Sequence, residues 1–397
     1  MPNDRDPLIT GIGLISCLGE GEAAHLAALD KFVPVVDETS FAPYPVHPMT
    51  ALTLDAQIPK RGDQRQMEPW QRYGVYAAGL ALDSAKAKGD PALLERMDMI
   101  VAAGGGERDY AVDAAILTEL PKVENPDLYL NEHLLADIRP TLFLAQLSNL
   151  LAGNISIVHG VIGSSRTFMG EEAAGAAALQ IACARIQAGQ SDICLVGGSF
   201  NAHRPDAFMQ NALGHSLWRG PFAPVRARQA KGGGGVMGSA GCFLVIESRA
   251  HAAARGVTPK ARIAAVRTDR CRRLPGEAAA NMARQIKELG GAAAANAVIS
   301  GSNGVGLVAT EEYAFLDQLG LPVRSINTAI GNAIEPSFPA AVAIAALSLE
   351  RDRLFPPLEP AEAPSEGSLK ALFVTCNGVW RGEATALVTS AQEASHA

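Results

Sequence analysis

Aromatic side chains are scarce in this sequence: Phe, Trp and Tyr make up 5% of its 397 residues. Positive charge is also short. The formal net charge is −7 and no basic run stands out, which excludes the electrostatic footprint of a nucleic-acid binder. No two of the six cysteines form a CxxC pair, and their scattered spacing reads as reduced thiols in a cytosolic, cytoplasmic protein. The histidines, His25, His47, His133, His159, His203, His215, His251 and His396, show no metal-ligand spacing, so neither a metal nor another cofactor is expected. "GIGLIS" lacks the third glycine and acidic partner of a dinucleotide fingerprint, and "GGGGVMG" (Gly232–Gly238) lacks the Lys and Ser/Thr of a phosphate loop. There is no G-x-S-x-G elbow, which argues against an α/β-hydrolase. The opening "MPNDRDPLITGIGLIS" has no apolar signal core after a basic start, and no stretch reaches membrane-span length uninterrupted.

What the chain does have is 48% hydrophobic residues and 39 glycines, enough for a large core in an α/β scaffold. Apolar runs alternate with helical patterns, which predicts buried, mostly parallel strands covered by helices. The expected strands of a first series are Leu8–Ser16, Met97–Gly105, Ser164–Met169, Asp192–Phe200 and Gly241–Ser248. A second series follows at Ala261–Thr268, Asn296–Gly304, Pro322–Ile330, Ala371–Trp380 and Ala384–Ser390. The chain therefore reads as a duplicated α/β unit, residues 1–249 and 250–397, with its seam in "SRAHAAARGVTPKARI".

The stretch "SSRTFMGEEAAGAAALQIACARIQAG" (Ser164–Gly189) runs from a strand through Gly170 into a helix. Leu179, Ala182, Cys183 and Ile186 recur at helical spacing and mark its buried stripe, while Ala173, Ala174 and Gly175 allow close packing at the first turn. Many enzymes place a nucleophile at such a junction, where free N–H groups and a partial positive charge favour an anion. Here stand Glu171 and Glu172. A carboxylate in the first turn also has a plain structural use, offsetting the helix dipole by ~0.3–1 kcal/mol. Of the cysteines, Cys17, Cys183, Cys194, Cys242 and Cys271 have no nearby His in the sequence, and Cys376 in "VTCNGVW" reads as a small buried hydrophobe.

"LAGNISIVHGVIGSSRTFMGEEAAG" (Leu151–Gly175) resembles the nucleophile region of β-ketoacyl-acyl-carrier-protein synthases of the KAS II type. "ITGIGLISCLGEG", "DQRQMEPWQRYGVYAAGLALDSA", "SDICLVGGSF", "GGVMGSAGCFLVIESRAHAAARG", "RSINTAIGN" and "LERDRLFPP" are similar to further blocks of that family, in the family's order. The resemblance implies the thiolase fold, two similar α/β halves in a five-layer αβαβα arrangement, usually dimeric. It also implies that the strand around Ser165–Met169 pairs across the dimer axis, and that an acyl pocket lies near Glu172 and Trp380.

The departures from the family are coordinated. Counted without a gap from Ala152–Gly153, Glu172 falls where the family has its nucleophilic Cys. Counted back from Glu311, Ser300 falls at the first active-site His; Asn327 takes the Lys position, Asn332 the second His, and Trp380 the gating Phe. A carboxylate cannot take up an acyl chain as a thioester, and its charge opposes an incoming enolate. The resemblance extends to chain-length factors, KAS-like subunits with Gln in place of Cys, whose Gly-Glu-Gln-Ala-Gly-Gly stretch "MGEEAAG" resembles. "QIPKRGDQRQMEPWQRYGVY" resembles KAS II-like proteins of clusters that make very long acyl chains for lipid A. The expected role is a chain-length-factor-like subunit in fatty acid or related acyl-chain synthesis. Its partners would be an acyl carrier protein (ACP), an active synthase or a second copy of itself, and an acyl chain. The alternatives are a synthase or malonyl-ACP decarboxylase active in its own right, and a homodimeric acyl-binding protein.

Overall fold

Ten of the apolar runs become the principal strands of a computed structural model that describes residues 3–391, the side chains of residues 140, 141 and 145 excepted. The first five are β1 (Pro7–Ser16), β2 (Asp98–Ala103), β3 (Ser165–Met169), β4 (Ile193–Phe200) and β5 (Ala240–Ser248). The second five are β6 (Ala261–Asp269), β7 (Ala297–Ser300), β8 (Val323–Ser325), β9 (Ala371–Asn377) and β10 (Glu383–Ser390).

The two sets build the same sheet twice. The first sheet runs β3-β2-β4-β5-β1 and the second β8-β7-β9-β10-β6. In each, the first three strands pair in parallel and the last two join antiparallel. The inner edges touch briefly, with Leu8 opposite Arg262 and Ile9 opposite Ala261.

Helices fill the space on either side of each sheet. Between the sheets lie α2 (Glu171–Gln187) and α5 (Ser337–Glu350), which pack on each other and on strands of both halves. The sequence of α5, "SFPAAVAIAALSLE", is apolar all round and buried from Ser337 to Leu349, as a helix in a middle layer must be. On α2 the stripe Leu179, Ala182, Cys183, Ile186 is buried as its spacing predicts. α1 (Pro69–Ser84) covers the outer face of the first sheet, so closely that a Cβ on Gly13 of β1 would lie 1.9 Å from the Ala77 carbonyl oxygen. α3 (Glu277–Glu288) and α4 (Gly306–Gln318) cover the outer face of the second. The order of layers is αβαβα.

Three expected strands of the second sheet are shorter than the sequence pattern implies. β7 stops at Ser300, whose partner on β8 is Ser325. Beyond that pair neither chain has a ladder to extend, so residues 301–305 form a loop and Asn327–Ile330 a single helical turn. β9 ends at Asn377, and Gly378 to Gly382 turn the chain into β10. All three truncations release loops at one end of the sheets, where the site forms.

Candidate functional site: a carboxyl pair at the heads of two central helices

The chain enters α2 through two residues in left-handed backbone, Gly170 (φ 81°) and Glu171 (φ 61°). Glycine adopts this region freely, whereas Glu171 is held there at a cost, and its carboxylate pairs with Arg381 of the β9–β10 turn at 3.1 Å. The sharp turn aims the next side chain, Glu172, inward, and it is 4% exposed. Its Oε1 accepts from Asn332 Nδ2 at 2.9 Å and from Asn303 Nδ2 at 3.5 Å. The backbone N–H groups of Glu172 itself and of Val379 also serve the carboxyl. Burial pushes its pKa up against these hydrogen bonds and prevails.

Both amides are fixed in orientation by what their oxygens accept. Asn332 Oδ1 takes the Ile334 N–H at 3.1 Å and the Ser337 hydroxyl at 3.2 Å, and Asn303 Oδ1 takes the Val305 N–H at 2.9 Å. That leaves Asn332 Nδ2 to Glu172, while Asn303 Nδ2 donates mainly to the Asn377 carbonyl at 3.0 Å and more weakly to Glu172. Ile334, a β-branched residue at φ 57°, marks a strained turn just before α5. It brings in a second carboxyl, Glu335, 4% exposed, whose Oε2 has no hydrogen-bond partner. Burial, reinforced by the nearby Glu172 charge, pushes the Glu335 pKa up to about 8. The missing side chain of Gly104 makes its room: a Cβ there would lie 2.5 Å from Glu335 Oε1. The two carboxyls thus sit at the N-terminal ends of the two central helices, where dipoles favour negative charge.

They border a cavity of about 380 Å³. Phe200, Ile334, Val379 and Trp380 give it an apolar side, but Arg204 and Asp206 also line it. Arg204 Nε donates to Asp206 at 2.7 Å and Nη2 to the Gly106 carbonyl at 2.9 Å. Beyond them Glu107, its pKa raised by burial, accepts from Asn201 and the Trp70 N–H, both at 3.1 Å. Where the family resemblance places an acyl pocket, this chain has a partly charged wall. Trp380, half exposed, packs over Gly214 and separates this cavity from a shallower apolar groove around Leu274 and Leu307.

Of the residues singled out in the sequence, the structure gathers Glu172, Asn332 and Trp380 at one cavity, but not Ser300 or Asn327. The Ser300 hydroxyl donates to the buried Glu312 at 2.7 Å, behind the site. The residue that faces Glu172 from this loop is Asn303, three positions on, because the chain leaves β7 at Ser300 and turns before reaching α2. Asn327 Nδ2 donates to the carbonyls of Gly301 and Ser302 at 3.0 and 3.1 Å, so it positions the Asn303 loop and does not touch the cavity. Asn303, Glu335, Val379 and Arg204 escaped the sequence reading. Only Glu335 carried a signal, a lone acid in the apolar run "GNAIEPSFPAA".

Among the described residues no histidine lines the cavity. Burial pushes His25, His47 and His159 down to about 4, keeping them neutral, and His396 lies outside the described residues. Among the described residues no group of three or more His, Cys, Asp or Glu is gathered to hold a metal, and no helix is long and apolar enough to cross a membrane. Five cysteines are buried and Cys271 is partly exposed, its thiol pushed up to about 11 by burial and Glu383. Iodoacetamide treatment of the folded protein, read by peptide mass spectrometry, is therefore expected to label Cys271 alone, and slowly. Rapid labelling of Cys376 would contradict this placement.

Residues 47–252 match the model of the β-ketoacyl synthase N-terminal domain. The chain belongs to the β-ketoacyl synthase family, which works in fatty acid and polyketide synthesis, and its stacked double sheet is the thiolase fold. Over 272 residues it is 26% identical to 3-oxoacyl-[acyl-carrier-protein] synthase 2 of Rhizobium meliloti (strain 1021); the alignment spans 64% of this chain and 61% of that protein. Among solved structures it is similar to the ishigamide ketosynthase/chain length factor, with TM-score 0.78, 18% identity and coverage of 98% of this chain and all of that one. A β-ketoacyl synthase from Burkholderia phymatum STM815 matches with TM-score 0.77 at 20% identity over 98% of this chain and all of that one. The ketosynthase of a type II polyketide synthase, bound to its acyl-carrier protein and the hexaketide, matches with TM-score 0.74 at 17% identity over 99% of this chain and all of that one. At these identities the structural likeness is one of fold.

Proposed function

We propose that this chain is a chain-length-factor-like subunit that pairs with an active β-ketoacyl synthase and an acyl carrier protein in cytoplasmic acyl-chain synthesis. One observation carries the reading: the Glu172 carboxyl itself takes the Glu172 and Val379 N–H groups and the Asn332 and Asn303 amides. These are the donors at the head of α2 that a reacting thioester oxygen would need. A site whose donors are filled by its own acid has no thiolate to acylate and no free donor for an enolate oxygen. Losing one such donor costs ~10²–10³ in rate, and here the nucleophile is missing as well. The fold and a cavity beside the carboxyl pair are retained.

The test is reconstitution. Purified alone, the protein is expected to turn over no radiolabelled malonyl-ACP into β-ketoacyl product; co-expressed with its synthase partner, it is expected to co-purify and to set product length. Product from the protein alone, or decarboxylation of malonyl-ACP by it, would favour an enzyme in its own right.

Pairing has a physical basis in β3. It ends the first sheet, its free edge is unpaired, and Met169 on it is exposed. Leu117, Leu135, Phe143 and Ile162, in the segments leading to it, are exposed as well. An open edge beside apolar surface is an aggregation hazard unless a second subunit covers it. Light scattering at micromolar concentration is expected to show a dimer, with itself or with the synthase. A stable monomer under both conditions would count against the proposal.

A further inference from the structure

The geometry points to a binding site for a small organic ammonium ion in the cavity bounded by Glu172 and Glu335. This goes beyond the subunit role above and needs no synthase partner. Four carboxyl groups line the cavity: Glu171, Glu172, Asp206 and Glu335. Glu171 is paired with Arg381, and Asp206 with Arg204, the one guanidinium in the lining. Glu172 has only neutral donors, and Glu335 Oε2 has none. The two buried carboxyls therefore share their setting without a counter-charge, and burial leaves the pair holding a proton that a cation would replace.

The groups that face the cavity set the chemistry of the ligand. Glu335 needs an N–H or O–H donor, and the pair together need positive charge. An alkylammonium supplies both, with three donors and no acceptor. A neutral alcohol supplies a donor without the charge, and a carboxylate ligand is repelled. A multivalent metal would need a set of ligating side chains that is not gathered among the described residues. The cavity's apolar side, formed by Phe200, Ile334, Val379 and Trp380, suits a short alkyl chain. Its volume, about 380 Å³, falls at the small end of ligand sites, roughly 300–1,000 Å³.

The test is calorimetry on the full chain with n-butylammonium, n-butanol and butyrate. Butylammonium is expected to bind saturably, and Glu335→Gln and Glu172→Gln each to weaken it at least tenfold, with circular dichroism confirming the fold. Butanol binding as tightly as butylammonium would overturn the proposal. So would unchanged affinity in the double variant, or no binding at all. If the variants fail to fold, the unaltered protein still decides. Glu335 faces Glu172 from α2 and Arg204 from beyond β4, and a cation entering between the two acids displaces the proton they hold. Butylammonium binding at pH 7.5 is then expected to release a proton, seen as an enthalpy that varies with the ionisation heat of the buffer. Binding without proton release would overturn it.

Discussion

Glu172→Cys is expected to yield a protein that iodoacetamide alkylates at position 172 but that makes no β-ketoacyl product from acyl-ACP and malonyl-ACP. The new thiol would stand at the head of α2, where the free N–H groups and the dipole lower a cysteine's pKa. Removing the carboxyl would also free the Val379 N–H for a substrate oxygen. What the substitution cannot supply is the pair of histidines: Asn332 and Asn303 donate hydrogen bonds but carry no charge and transfer no proton. Adding Asn332→His and Asn303→His is expected to raise condensation by more than the product of the separate effects, since groups that act as a unit are non-additive. Histidine at Ser300, the position counted from the sequence, is expected to do nothing useful, because that side chain points to Glu312. The assay is product formation from radiolabelled malonyl-ACP. Robust condensation by the unmodified protein alone would refute the non-catalytic reading, as would its acylation at any of the six cysteines during turnover.

Glu335→Gln is expected to stabilise the protein, and increasingly so as pH rises. The folded-state pKa of Glu335 stands at about 8 against an ordinary 4.5. Between those values the unfolded chain has released a proton that the folded chain still holds, so folding loses ground with every unit of pH. The penalty is absent below 4.5, grows through the interval and is complete above about 8. At about 1.4 kcal/mol per unit it amounts to a few kcal/mol. Glutamine fills the same space without the charge, and relieves Glu172 as well. The urea midpoint of the variant is expected to exceed that of the unaltered protein clearly at pH 8 and to converge with it near pH 5. A difference that stays constant with pH would rule out the buried charge as its cause.

The duplicated sheet was legible because each strand is a short apolar run bounded by glycine or polar residues, a pattern that burial on both faces demands. Glu172 was legible from the strand-to-helix junction it follows, and Asn332 from the resemblance of "RSINTAIGN" to the family's second catalytic loop. Asn303 was not, since its loop bends at a point no periodicity marks, and Gly304 (φ 80°) and Gly306 (φ 54°) free the backbone from any simple count. Arg204 and Glu335 belong to separate halves of the chain, and only the stacking of the sheets brings them to one cavity.

The burial of α5 on all sides bears on how the molecule is made. Its seat is walled by strands from both sheets and by α2, yet it lies beyond residue 336. During synthesis the first sheet and α2 leave the ribosome long before the helix that must cover them. Until α5 arrives, the side of α2 that turns away from the first sheet is uncovered, and the contacts that then form join segments far apart in the chain. Such a topology folds late and slowly. A fragment cut at the seam near residue 250 would therefore be a sticky intermediate in need of a chaperone, and would not behave as an independent domain.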